Sequence, residues 1–214
     1  MSKIDIIGPW SGGQTGVGLR VNDPEADVAD LLESWQPLCD DPRIIKKYGD
    51  QESGVCKGCV NNCCSTAYVI PDLIAFKKMA AFLKLDYQDF IAGYFDPEKV
   101  KRGILRMRPD PCIFLQDNIC TVYPHRSLIC RFYLCSDMEG DCEQLIYSLA
   151  WAGSAALQVF AEKNQLILPG KEAGLSSFDL MFKGLIEEYR HTPLVKLFLV
   201  AEDYSDIPLK PFLS

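Results

Sequence analysis

Apolar positions along most of this chain recur with the period of a helix. Val28, Leu31, Leu32 and Trp35 share one helical face, and Asp23-Pro24-Glu25 supplies an Asp cap, a proline suited to the first helical position and an early acidic residue, so a helix is predicted to start there. In "IPDLIAFKKMAAFLKL" the spacing of Leu73, Phe76, Ala80 and Leu83 predicts another helix, and "DYQDFIAGYF" a second, short one after it. From Cys142 onward the pattern is helical again. It predicts one long apolar helix over 143–164, a break at Pro169-Gly170 and one or two helices over 176–202. The segment "RGILRMRPDPCIFLQDNICTVYP" reads differently: β-branched and aromatic residues flank Gln116-Asp117-Asn118, as in a short hairpin.

Residues 1–22 are rich in glycine, but "GGQTGVG" lacks the Lys-Ser/Thr of a phosphate loop and no dinucleotide G-x-G-x-x-G occurs, so this end reads as a flexible arm. The expected fold is mostly α with a short β-hairpin. A flexible arm (1–22) leads into a cysteine-cluster region with flanking helices (23–142), and a C-terminal helical layer (143–214) packs on it within one domain.

With 214 residues, 48% apolar and 24% charged, the chain can bury a sizeable core. Its 29 acidic and 22 basic side chains give a net charge of -7, which repels a phosphate backbone and argues against nucleic acid as a partner. "LIYSLAWAGSAALQVF" is shorter than the roughly 20 residues a membrane span needs, so it reads as a buried helix. No basic stretch followed by an apolar one opens the sequence, and a cytoplasmic location is expected.

In that compartment ten cysteines argue for metal ligation rather than disulfides. Eight fall in two groups, Cys56, Cys59, Cys63 and Cys64, then Cys112, Cys120, Cys130 and Cys135. Cys56-x2-Cys59 is the strongest chelating pair, because two residues between thiols let one knuckle turn both sulfurs inward. Adjacent Cys63 and Cys64 diverge from the backbone and would close on one small centre only through a strained ring. They therefore serve different centres, or one ligates while the other packs, and eight thiols can fill two four-sulfur sites. Zinc and a 4Fe–4S cluster both accept four thiolates, and neither the ferredoxin spacings nor the paired knuckles of a zinc ribbon occur.

Arg126 and Arg131 bracket Cys130, and Lys57 lies in the first group. Four thiolates around zinc or an oxidised four-iron cluster leave a net charge of about -2, which such cations can offset. His125 is a weaker ligand candidate, since sulfur already suffices. Cys39 and Cys142 lie outside both groups and read as small buried hydrophobes, while Tyr123, Phe132 and Tyr133 read as apolar packing around the site.

"CKGCVNNCC" followed by "PCIFLQDNICTVYPHRSLICRF" resembles the YkgJ family of cysteine-cluster proteins over residues 54–136. Cys112, Phe114 and Leu115 match the middle of the family pattern, Cys120, Val122, Tyr123 and Arg126 the next part, and Cys130, Arg131 and Phe132 its close. Ser127 and Leu134 depart from it where proline is usual. The resemblance implies a zinc- or iron-chelating module and leans toward iron–sulfur. The family also looks similar to the cysteine-rich part of flagellin lysine methylases, which suggests a methyltransferase-like enzyme as a weaker alternative.

Three functions are thus expected in competition. The leading one is an iron–sulfur protein in electron transfer, or an accessory subunit of a redox partner, and the second a zinc-stapled module that binds another protein without redox activity; the third is that enzyme. Either of the first two implies a protein partner, and the sequence leaves the oligomeric state open. No catalytic base or nucleophile stands out, with His125 and His191 the only histidines and neither Asp110 nor Asp117 assignable to catalysis.

Overall fold

A computed structural model describes residues 2–8, 16–45, 59, 63–109, 111–168 and 174–213. The chain opens with a hairpin in which β1 (Ile4–Ile7) runs antiparallel to β2 (Gly18–Val21), Ile4 lying opposite Val21. An arm was expected here. Instead Ile4 and Val17 are buried, and Ile6 and Leu19 pack against the core, so short apolar alternation suffices once a neighbouring face is there to cover it. Val17 also joins a later segment: its N–H donates to Asp137 O at 2.8 Å and its carbonyl accepts from Glu139 N at 2.9 Å.

Helix α1 (Val28–Trp35) buries the four residues that its periodicity picked out, but begins later than expected. Its cap is Asp27, which accepts from Asp30 N–H, while the Asp30 carboxylate accepts from Asp27 N–H. Asp23 instead closes a turn by accepting from Glu25 N–H at 2.9 Å. The backbone stays out of the helix until Asp27 because Val28 N–H reaches Ile207 O and Asp27 bridges to Pro208, a tie to the far end of the chain.

A short α2 (Pro42–Ile45) follows, then α3 (Leu73–Leu83), α4 (Tyr87–Tyr94) and α5 (Pro97–Val100). Asp72, Asp86 and Asp96 cap the last three by accepting from backbone N–H groups of the first turn. The expected second hairpin is β3 (Leu115–Gln116) with β4 (Ile119–Cys120). Its two-residue loop, Asp117 and Asn118, has positive φ at both positions, the turn that fits the twist of a tight hairpin.

After α6 (Leu128–Phe132), the apolar stretch forms one helix, α7 (Asp141–Lys163), followed by α8 (Ser177–Tyr189) and α9 (Pro193–Val200). The fold is thus mostly α with short β elements. Among the described residues no helix is long and apolar enough to cross a membrane. α7 is the centre of the molecule, packed by α3, α6, α8, α9 and β2. Small residues let its neighbours approach. A Cβ on Gly153 would lie 2.5 Å from Asp72 Cβ and 3.1 Å from Phe198, so α3 and α9 meet α7 only across a glycine.

The start of α8 is held by Asp179, fully buried, which accepts from Lys99 Nζ, the Tyr68 hydroxyl and Ser176 N–H. Burial alone would raise its pKa, but these donors overcome that and hold the carboxyl far below its usual range. Two outcomes are expected. Gly153→Ala should lose about 2 kcal/mol in urea unfolding, or more where backbones cannot part. Asp179→Asn should lose about 3 kcal/mol at neutral pH. The folded Asp179 pKa lies below the unfolded value of about 3.9. Its contribution is therefore complete above that pH and disappears as pH falls toward the folded pKa, so urea midpoints of the two proteins should converge in acid.

Candidate metal centre

The cysteines reach one place by four routes. Cys63 and Cys64 lie in a 3-10 turn, Cys63–Ser65. The backbone N–H of Cys112 donates to Cys64 O at 2.9 Å, which lays the approach to the second hairpin against that turn. The hairpin register then sets Cys120 across from Leu115, whose N–H donates back to Cys112 O at 2.8 Å. Cys130 comes from α6. Cys135 follows α6, just before the 137–139 segment that Val17 holds.

Seven of the eight expected ligands, Cys59, Cys63, Cys64, Cys112, Cys120, Cys130 and Cys135, line a single cavity of about 340 Å3. Cys56 and Lys57 lie outside the described residues, as does Asp110. No disulfide joins the described cysteines. Among the described residues no three Cys, His, Asp or Glu side chains converge closely enough to grip one ion as they stand. The remaining walls are largely apolar, with Val69, Met79, Met107 and Phe114 among them.

This setting governs the thiols. Burial pushes Cys120 up to about 11 and Cys130 higher still, the neighbouring thiols adding to it, and it also raises Cys112 and Cys135. Cys64 moves the other way: a hydrogen bond from Cys63 lowers its pKa against the effect of burial, and the Arg126 guanidinium lowers it further. Arg126 is 7% exposed, stacks over the Tyr123 ring at 3.6 Å and donates to Tyr123 O and Gln36 Oε1. It acts on Cys39, Cys64, Cys120 and Cys130, and among the described residues it is the cation that lines the cavity.

The other expected neighbours divide. Tyr123 and Tyr133 line the cavity, while Phe132 is buried edge-on against Trp35 at 5.7 Å. His125 lies against Phe82, away from the cavity lining. Arg131, read from sequence beside Arg126, lies 5.9 Å from the Tyr204 ring and does not line the cavity. Cys142 is core, as expected, pushed up to about 12 by burial. Cys39 is buried too and donates to Arg131 O, but it also lines the cavity, a placement its isolation in the sequence gave no hint of.

The position of α6 depends on Asp72. Besides capping α3, its carboxylate accepts from Leu128 N–H at 2.8 Å and from Ser127 Oγ, while Asp72 N–H donates to that same hydroxyl. Ser127 occupies the place where the resemblance leads one to expect proline, and its hydroxyl anchors α6 from the side.

Residues 55–148 match the CxxCxxCC family model, described as a zinc- or iron-chelating domain. This is the YkgJ-type family, and the match spans every cavity-lining cysteine but Cys39, together with the first turns of α7. Searches of curated proteins and of solved structures give no match.

One variant tests how α6 is held. Ser127 has φ −58°, and Arg126 before it is already extended at φ −56°, ψ 144°, so proline fits the backbone. Ser127→Pro should gain about 0.5 kcal/mol by restricting the unfolded chain. It should lose about 1.5 kcal/mol by leaving buried Asp72 groups short of a partner. The expected net is a loss of about 1 kcal/mol in urea unfolding of the metal-free protein.

Proposed function

We propose, taking residues 55–148 as a metal-chelating domain of the YkgJ type, that the chain carries an iron–sulfur centre and exchanges electrons with a protein partner. The observation that carries this reading is the spread of thiols around a cavity of about 340 Å3. A single zinc ion with bonds of about 2.3 Å draws its four sulfurs to about 3.8 Å from one another. A cluster takes each thiolate on a different iron and needs a roomier cage.

The charge pattern supports the same reading. Cys59, Cys63, Cys64, Cys112, Cys120, Cys130 and Cys135 would supply the thiolates, with Cys56 beside them in sequence. Arg126 would offset part of the negative charge, and the apolar walls would limit water and tune the potential. When bound, the cluster supplies a one-electron couple. Tyr133, 55% exposed, lies on the cavity wall, so the centre would come close to the surface, where a partner can reach it.

Metal analysis of protein purified without oxygen tests this. Iron with acid-labile sulfide and a broad visible band that bleaches on reduction is the expected result. Colourless protein with one or two zinc atoms per chain would overturn it and make the cysteines a structural staple, whose removal by a chelator should lower the thermal midpoint.

A further inference from the structure

Residues 99–108 carry five cations and no acid, in a chain whose net charge is -7. Three of the five are engaged in holding the fold. Lys99 pairs with buried Asp179, Lys101 with Glu98 at 2.7 Å, and Arg102 donates to Gly174 O. Arg106 and Arg108 are placed differently, by the extended segment that contains them. Met107 N–H donates to Val69 O at 2.9 Å, Arg108 N–H to Tyr94 O at 2.9 Å and Asp96 N–H to Arg106 O at 2.9 Å, while Phe95 bridges to Met107. Side chains of such backbone alternate between its two faces. Met107 is buried and lines the cavity, so Arg106 and Arg108 share the reverse face.

Both guanidinium groups are held in place, and both keep donors to offer. Arg108 is exposed; its Nε donates to Phe95 O and its Nη2 to Ala92 O at the end of α4, which leaves its Nη1 donors unused among the described residues. Arg106 is half-buried over the Tyr68 ring at 4.1 Å, and its buried Nε has no partner among the described residues. Asp96 lies opposite Arg106 along the backbone, but its carboxylate accepts from the N–H groups of Glu98 and Lys99 instead. A buried donor without an acceptor is costly, and a carboxylate supplied from outside removes that cost.

Resting on the electron-exchange reading above, we infer that Arg106 and Arg108 form the docking face for the protein partner, and that the partner presents an acidic patch to it. The forked donors of two arginines match carboxylates closely. A long polyanion such as nucleic acid, or an anionic membrane, would also meet the negative remainder of the chain and be repelled by it. A compact acidic patch on a folded protein meets this face alone. The face is well placed for electron exchange. Met107 between the two arginines lines the cavity, and so does Tyr68 beneath Arg106, so a partner seated here is one layer of side chains from the proposed centre.

Small charged oxidants read the local charge where electrons leave. Protein purified without oxygen and reduced is mixed with ferricyanide, a trianion, or hexaamminecobalt(III), a trication, at low and high ionic strength. The net charge of -7 by itself makes the anion slow and lets salt speed it. Exit beside the arginines predicts the reverse. The ferricyanide rate should fall at least about tenfold as salt rises, and Arg106→Gln/Arg108→Gln should abolish that dependence. Lys196→Gln/Lys210→Gln removes the same charge from exposed positions elsewhere and should leave it intact. A ferricyanide rate that rises with salt in the parent, or one that the arginine variant leaves unchanged, overturns the docking face.

A second measurement needs no metal. Fluorescein-labelled octaglutamate is titrated with the full-length chain at low salt, alongside a labelled oligothymidylate and phosphatidylserine vesicles. Octaglutamate should bind, and Arg106→Gln/Arg108→Gln should weaken it at least about fivefold at a parent-like urea midpoint. Arg106→Lys/Arg108→Lys keeps the charge without the fork and should recover only part of the binding; should the glutamine pair not fold, this pair takes its place. Tighter binding of the oligonucleotide or the vesicles, or octaglutamate binding that the variants leave unchanged, overturns the proposal. Protein inert to both oxidants that still binds octaglutamate through the arginines keeps the docking face and removes the electron-exchange reading, so the two failures are distinct.

Discussion

One buried carboxylate holds the metal-binding half of this protein to the helical half. Asp72 is 1% exposed and accepts from four donors: Ala75 N–H of its own helix, Leu128 N–H and Ser127 Oγ at the start of α6, and the Tyr204 hydroxyl near the end of the chain. Its Cβ lies against Gly153 of α7. A carboxylate in an apolar setting is costly unless its acceptor sites are filled. That cost makes the arrangement specific, because α3, α6, α7 and the C-terminal segment satisfy Asp72 only in this one placement. The position of Cys130 thus depends on Asp72, outside the cysteines themselves, and through it on helices that carry none of the cavity thiols.

Much of the helical layout could be read from the sequence because it depends on local chemistry. The contrast between two identical tripeptides shows where that reading stops. Asp96-Pro97-Glu98 starts α5, with Asp96 accepting from Glu98 and Lys99 N–H groups, as the cap, proline and acid together predict. Asp23-Pro24-Glu25 has the same residues and makes only a turn, since Ile207 and Pro208 claim the backbone at 27–28. A local signal sets what a segment can do, and a partner about 180 residues away in the chain decided the outcome at the second site. The first hairpin was missed for the related reason that strands of four residues acquire their buried face only from what packs on them.

At the site the cysteine spacing carried the family resemblance, but position along the chain was a poor guide to neighbourhood. Cys64 lies next to Cys63 in the chain and against Cys112 in the fold. Arg126 and Arg131 looked equivalent around Cys130, yet one faces the cavity and the other Tyr204. Arg126 precedes α6 on extended backbone whereas Arg131 is carried inside the helix, so their spacing in sequence does not put them on one face. Cys39 could not have been placed at all, since it enters through α1 and the turn after it rather than through the motif.

The electrostatics of the cavity show how metal and fold would depend on each other under the proposed function. Apolar walls and mutual proximity disfavour thiolate at Cys112, Cys120 and Cys130, and one guanidinium cannot neutralise several sulfur anions. Without a metal, the cavity therefore favours those thiols in their protonated form. A cationic centre reverses the balance, since it stabilises the thiolates that ligate it and releases their protons. Low dielectric then strengthens each metal–sulfur and arginine–sulfur interaction that it had previously penalised. Under the proposed function, the burial that makes these cysteines poor free nucleophiles would make them effective ligands, and Arg126, stacked on Tyr123, is the cation that lines the cavity among the described residues.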